Sequence, residues 1–215
     1  MMYVLDQKLW FPDPCSSNEH GIVAVGGDLS AERVLLAYTQ GIFPWFSEDE
    51  PIIWWCPDPR MVLYPTEFKI SKSFKKTLRT TSFTVTFNTA FSAVIEACSK
   101  MERPGQEGTW ITQEMKETYV ELHRQNIAIS IEVWDKDILV GGLYGMHLPS
   151  FKLFSGESMF SKKTDASKIA FAHLVAWSIE QKHTLIDCQV YTSHLESLGA
   201  REIDREVFLS NLRGE

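Results

Sequence analysis

Residues 151–190 constrain the fold more than any other stretch. Phe151-Lys152-Leu153-Phe154-Ser155-Gly156-Glu157-Ser158-Met159-Phe160-Ser161 begins with polar/apolar alternation and reads as a strand. Alternation puts Leu153, Ser155, Glu157 and Met159 on one face. Thr164 or Asp165 suits the cap of a helix running from Ala166 to about residue 181. Its residues Ile169, Ala170, Phe171, Leu174, Val175 and Trp177 cover more than a narrow stripe, which predicts a well-buried helix. Thr184-Leu185-Ile186-Asp187-Cys188-Gln189-Val190 is a second β-type run, with Leu185, Asp187 and Gln189 on one face and Ile186, Cys188 and Val190 on the other. Strand, helix and strand at this spacing make a crossover unit with two parallel strands. Glu157, Asp187 and Gln189 interrupt otherwise apolar strands. Burying a carboxylate is costly unless it is paired or at work, so these groups either face solvent, satisfy buried backbone or carry chemistry.

The rest of the chain builds outward from that unit. Residues 1–62 read as a small irregular domain, rich in proline (Pro12, Pro14, Pro44, Pro51, Pro57, Pro59) and carrying one convincing helix. Ser30 caps that helix, Val34, Leu35, Leu36 and Tyr38 form its apolar face, and Gly41 ends it. Gly26-Gly27 fits no phosphate-loop spacing and reads as a tight turn. Phe43, Trp45, Phe46, Trp54 and Trp55 form a dense aromatic group suited to packing, with one or two available to stack on a base. Pro57-Asp58-Pro59-Arg60 and Pro65 mark a hinge into a second domain over 65–215. There, a helix starting at Ser71 sets Lys72, Lys75, Lys76 and Arg79 on one basic face, with Phe74 and Leu78 on another. A strand at 83–87 follows, then a helix capped by Asn88 or Thr89 and bearing Phe91, Val94, Ile95 and Cys98. The polar run 100–108 is a surface loop, and a further helix is capped by Thr112. Residues 127–134 and 138–144 form an antiparallel hairpin turned by Asp135-Lys136-Asp137. Thr192 or Ser193 caps a short helix ended by Gly199, and a last short strand and helix complete the chain. The larger domain is thus α+β with a mixed sheet.

Composition narrows the setting. An apolar content of 44% in 215 residues supports a real core. No apolar run approaches the roughly 20 residues of a membrane span, and the N-terminus lacks the pattern of a signal peptide. The four cysteines (Cys15, Cys56, Cys98, Cys188) form no CxxC pair, and the six histidines show no ligand spacing. A reduced, metal-free cytoplasmic protein is expected. With a formal net charge of −7, nucleic acid binding requires a local basic patch. The Lys72–Arg79 face is the candidate for phosphate contact, although a charged helix face also serves simply for solvation.

Six blocks carry a resemblance. Val25-Gly26-Gly27-Asp28-Leu29-Ser30, Gly41-Ile42-Phe43-Pro44-Trp45-Phe46, Trp54-Trp55-Cys56-Pro57-Asp58-Pro59-Arg60, Glu107-Gly108-Thr109-Trp110-Ile111-Thr112, Gly156-Glu157-Ser158-Met159-Phe160-Ser161 and Leu185-Ile186-Asp187-Cys188-Gln189 resemble, in order, the signature blocks of the bacterial leucyl/phenylalanyl-tRNA–protein transferases. The resemblance implies an acetyltransferase-like (GNAT-like) larger domain and no cofactor. It implies transfer of leucine or phenylalanine, with methionine a further candidate, from charged tRNA to proteins that begin with Arg or Lys, giving a destabilising N-terminus for degradation. By the same resemblance Asp187 and Gln189 are the catalytic pair. Leu143, Met159, Leu174 and Ile186 line the side-chain pocket, Trp45 and Trp110 meet the terminal adenosine, and Glu157 holds the cationic end of the acceptor. The basic helix, at Lys72 and Lys76 above all, binds tRNA. A scheme attributed to the family has the aspartate polarise the glutamine, which deprotonates the amine. A carboxamide has almost no basicity, so Asp187 fixing the Gln189 amide, and Gln189 aligning the amine, is the role adopted here.

Two other classes compete. An acyl-CoA-dependent N-acyltransferase usually carries a Q/R-x-x-G-x-G/A turn where strand feeds helix, but Ser161-Lys162-Lys163-Thr164-Asp165-Ala166-Ser167 has no glycine. A non-catalytic reader of basic N-termini needs Glu157 and Asp187 but no aromatic platform or basic helix.

Overall fold

The structure, a computed structural model, describes residues 2–101 and 109–214. Most of the loop expected at 100–108, and the first two residues of the 107–112 block, lie outside the described residues. The N-terminal part holds β1 (Tyr3–Leu5), β2 (Ile22–Gly26), α1 (Ala31–Thr39), β3 (Phe43–Pro44) and β4 (Ile53–Trp55). These strands form a small sheet in the order β1-β2-β4-β3. None exceeds five residues, too short for alternation to register in the sequence. Ser30 caps α1 through its side chain, as its position before the apolar run predicts. Gly41 follows the helix at φ +77°, and a Cβ there would come within 2.8 Å of Leu209. Glycine is therefore required both for the turn and for the close approach of the C-terminal helix.

The larger sheet starts with β5 (Arg60–Leu63) and continues after α2 (Lys72–Thr80) with β6 (Thr84–Phe87). After α3 (Phe91–Ser99) and α4 (Gln113–Arg124) come β7 (Ala128–Asp135), β8 (Ile138–Leu148), β9 (Leu153–Ser161), α5 (Ala166–Glu180) and β10 (Leu185–Gln189). The chain closes with α6 (Ser193–Ser197), β11 (Arg201–Ile203) and α7 (Arg205–Arg213). Strand order is β11-β5-β10-β9-β8-β7-β6. The β9–β10 pair is parallel and joined through α5, as the spacing predicts, while the other neighbours are antiparallel. The sheet is buried on both faces. One core gathers α1, α3, α4 and α7 with the small sheet, and the other gathers α2 and α5. The α+β class with a mixed sheet is borne out.

Several local expectations change. Arg60, expected in a hinge, is the first residue of β5 and is fully buried in the larger sheet. Neither Asn88 nor Thr89 caps α3. The cap position is Ala90, and the buried Glu132 carboxylate accepts its backbone N–H and the Thr89 hydroxyl instead. Asp165 stands at the cap of α5 without bonding the helix backbone, because its carboxylate is taken by Thr77 and Lys168.

The alternation of β9 also breaks. Gly145 pairs Gly156 and Tyr144 pairs Ser158, so Glu157 is an extra residue, a β-bulge. Each bulge shifts the side-chain phase by one. Leu153 and Phe160 therefore serve one core, and Phe154 and Met159 the other, so Leu153 and Met159 do not share a face. The bulge aims Glu157 where an unbroken strand would not.

Candidate active site

The site lies where two parallel strands part. Pairing of β9 with β10 stops at Ser155–Asp187, although β9 continues to Ser161 and β10 to Gln189. A cavity of about 400 Å³ opens there. It brings together Leu143 of β8, Met159 of β9, Leu174 of α5 and Ile186 of β10, with Trp45 and Trp110 and with Glu157, Asp187 and Gln189. All nine residues picked from the sequence for catalysis or for substrate contact outside the basic helix thus line one space. Trp45, 38% exposed, sits at the rim against Trp55, whose indole N–H donates to the Trp45 carbonyl at 2.6 Å. Trp110 is buried just before α4. The basic helix lies apart from this space. Ser71 caps α2, and Lys72, Lys75, Lys76 and Arg79 are exposed. Among the described residues none of the four makes an ion pair.

Asp187 is bound more tightly than its place in the motif suggests. Arg60 Nε donates to Oδ1 at 2.8 Å and Arg60 Nη2 to Oδ2 at 2.7 Å. Ser155 Oγ donates to Oδ2 at 2.9 Å, and the backbone N–H of Gln189 donates to Oδ1 at 2.9 Å. A carboxylate offers about four lone-pair sites, and here four donors take them. Arg60 and Asp187 are each 1% exposed. The guanidinium is held between Phe43 and Phe208, at 4.7 and 4.6 Å from the ring centroids. Phe43 comes from the small sheet and Phe208 from α7, so three parts of the chain converge on this ion pair.

This geometry corrects the role read from the sequence. Asp187 fixes the main chain of Gln189 and not its carboxamide. Gln189 stands at φ +64°, left-handed backbone that a residue with a long side chain adopts only under constraint, and the bond from its N–H to Asp187 helps hold it there. Its carboxamide turns instead to Glu157: Nε2 donates to Oε1 at 3.0 Å. The other Glu157 oxygen accepts from the Tyr119 hydroxyl at 2.9 Å, and Tyr38 and Tyr119 hydroxyls lie 2.7 Å apart. Burial pushes Glu157 up to about 7. The tyrosine hydrogen bonds pull against that rise, and the Asp187 charge adds to it.

Arg60, Ser155, Tyr38 and Tyr119 were not singled out for the site from the sequence. The two tyrosines fit the apolar spacing of their helices, which hides their hydroxyls. Arg60 carried one signal, a lone cation opening the apolar run Met61-Val62-Leu63. Among the described residues no group of three or more His, Cys, Asp or Glu is set to hold a metal ion, and no helix is long and apolar enough to cross a membrane.

Comparison with known proteins agrees with the motif order. The model of the leucyl/phenylalanyl-tRNA protein transferase family matches residues 62–213, and that of its N-terminal domain matches residues 27–58. The leucyl/phenylalanyl-tRNA–protein transferase of Flavobacterium johnsoniae is 55% identical over 214 residues and covers 100% of both chains. That of Christiangramia forsetii is 53% identical over 98% of this chain and 100% of its own. That of Syntrophobacter fumaroxidans is 52% identical over 98% of this chain and 89% of its own. Among solved structures, a GCN5-related N-acetyltransferase from Kribbella flavida is similar at a TM-score of 0.40 and 8% identity, over 78% of this chain and 59% of that one. The chain belongs to the leucyl/phenylalanyl-tRNA–protein transferase family.

Proposed function

We propose that this protein transfers leucine or phenylalanine from aminoacyl-tRNA to the α-amine of proteins that begin with Arg or Lys. The observation that carries the reading is that an apolar recess, an aromatic rim and a polar wall meet in one cavity. Aminolysis of an activated ester needs a seat for the aminoacyl side chain, a grip on the terminal nucleoside and an aligned amine. Leu143, Met159, Leu174 and Ile186 take the side chain, and Trp45 and Trp110 take the adenosine. Glu157 faces the cationic end of the acceptor. Gln189 aligns the amine: with Nε2 committed to Glu157, its Oε1 is the atom left to accept a hydrogen bond from the nucleophile. Asp187, saturated by Arg60, Ser155 and the Gln189 backbone, is an anchor for Gln189.

The exposed Lys72, Lys75, Lys76 and Arg79 contact the tRNA backbone, supplying the local basic patch that an acidic chain requires. Residues 1–62 and 65–215 act as two units, the first contributing Trp45. Use of charged tRNA, and Cys15, Cys56 and Cys188 standing outside any disulfide, fit action in the cytoplasm.

An acyl-CoA reading fares worse at the N-terminus of α5. There Ala166 N–H donates to the Lys163 carbonyl at 3.1 Å and Ser167 N–H to Ser161 Oγ at 3.3 Å, and the Asp165 carboxylate stands beside them. Those donors are not free to cradle a pyrophosphate. The test is transfer of labelled leucine from leucyl-tRNA to a peptide beginning with Arg, without CoA. The reading predicts labelled peptide and none from the N-acetylated control. Label entering only with acyl-CoA as donor, or peptide binding without transfer, refutes it.

A further inference from the structure

The aminolysis proposed above must dispose of a proton, and Asp187 has no lone pair to receive it. Of the two carboxylates lining the cavity, Glu157 alone has room: its oxygens accept from Gln189 Nε2, from the Tyr119 hydroxyl and, more weakly, from the Tyr38 hydroxyl, leaving about one lone-pair site open. All three donors are neutral. Among the described residues no cation pairs with it. Gln189 Oε1, where the nucleophile docks, belongs to the same carboxamide whose nitrogen touches Glu157.

We propose that Glu157 is the general base, accepting the proton of the acceptor's α-ammonium while Gln189 Oε1 holds the nitrogen beside it. This rests on the transferase reading. The steps balance as follows. The ammonium gives one proton to Glu157, which becomes a neutral acid. The freed lone pair forms the C–N bond at the ester carbonyl carbon, and the carbonyl π electrons move to oxygen. As that oxyanion collapses, the bond to the ribose 3′-oxygen breaks, and the nitrogen's second proton passes to that oxygen. The third stays on the new amide. Glu157 then returns its proton to water, so one proton is released per turnover.

The surroundings suit the task. Tyr38 from α1, Tyr119 from α4, Tyr144 from β8 and Cys188 and Asp187 from β10 are the titratable groups around Glu157, with His194 farther along the cavity and Arg60 neutralising Asp187. Burial raises both tyrosines and Cys188 further, so they stay neutral at neutral pH. Glu157, pushed up by burial to about 7, matches the operating pH that general-base catalysis favours.

The test compares two acceptors under saturating leucyl-tRNA: an Arg-starting peptide, and the same peptide with an aminooxy group in place of the α-amine, neutral across the range measured. Wild type should show a rising limb in kcat/KM near pH 7 with the amine and none with the aminooxy acceptor. Glu157→Gln should lose about a hundredfold or more on the amine and about tenfold or less on the aminooxy acceptor. A limb on both acceptors, or equal losses on both, overturns the proposal and leaves Glu157 a binding group. If Glu157→Gln does not fold, wild-type profiles on two peptides of different α-amine pKa decide: a limb fixed near pH 7 supports the proposal, and a limb that follows the peptide's own value, ordinarily about 7.7–8.0, overturns it. No transfer to either acceptor by wild type refutes the transferase reading itself, and the proposal with it.

Discussion

Replacing Asp187 with Asn tests the anchor assignment through stability. The carboxylate takes two bonds from Arg60, one from Ser155 and one from the Gln189 backbone, and both ions are 1% exposed. Asn is nearly isosteric but removes the charge and turns one acceptor into a donor facing other donors. Removing one member of a buried pair strands the other, at a cost of about 3–5 kcal/mol. Arg60 cannot relax toward water, because Phe43 and Phe208 sandwich it. Removing both charges together, as in Arg60→Met with Asp187→Leu, should cost less than the sum of the two single changes. The coupling should be about 2 kcal/mol or more. Urea unfolding of wild type, Asp187→Asn, Arg60→Met, Asp187→Leu and the double variant measures this. Asp187→Asn within about 1 kcal/mol of wild type, or coupling near zero, would refute the reasoning. A confirmed loss also means that lost transfer by an Asp187 variant reports folding of the Gln189 main chain before it reports chemistry.

The remaining predictions concern substrate and pH. Lys72→Ala with Lys76→Ala should weaken leucyl-tRNA binding and flatten its salt dependence by about 0.7–0.9 log units per lost phosphate contact. Transfer at saturating tRNA should persist, and an unchanged salt slope removes the helix from the tRNA interface. Competition between leucyl- and isoleucyl-tRNA should favour leucyl, by roughly 1–3 kcal/mol and no more than a few hundredfold, because an apolar recess discriminates shape only modestly. Equal rates would reject the pocket assignment. Glu157 should make stability pH-dependent. Its folded value of about 7 lies above the ordinary 4.5, so its contribution is fully present below pH 4.5 and is lost as pH rises through 7. Glu157→Gln should therefore gain on wild type between about pH 5 and pH 8 by at most about 3 kcal/mol, less what cavity solvent screens. A gap that does not widen with pH contradicts the burial of that carboxylate.

What could be read from the sequence follows the range of the interactions. The caps at Ser30, Thr112 and Thr192 are local bonds to backbone three residues on, and each forms where the residue pattern puts it. The crossover through α5 was legible for the same reason. Alternation failed at Glu157 because a bulge leaves no mark on residue type, and it reversed the phase of everything after it. Arg60 looked like part of a proline-rich connection because its partner Asp187 lies 127 residues away. The Tyr38–Tyr119–Glu157 chain joins three elements whose contact no local pattern announces. Thus nine of the residues that line the cavity were legible in the sequence, while others such as Phe154, Phe171 and His194, and the bonds that fix the orientation of the nine, were not.

The most direct test is a structure with a non-hydrolysable leucyl-adenosine analogue, its ester replaced by an amide. The account predicts the leucine side chain among Leu143, Met159, Leu174 and Ile186, and adenine against Trp45 or Trp110. The acyl carbon should lie beside Gln189 Oε1, with Gln189 Nε2 still on Glu157 and Asp187 still on Arg60. An analogue seated outside this cavity, or an Asp187 carboxylate released from Arg60 to bind the Gln189 carboxamide, would contradict it.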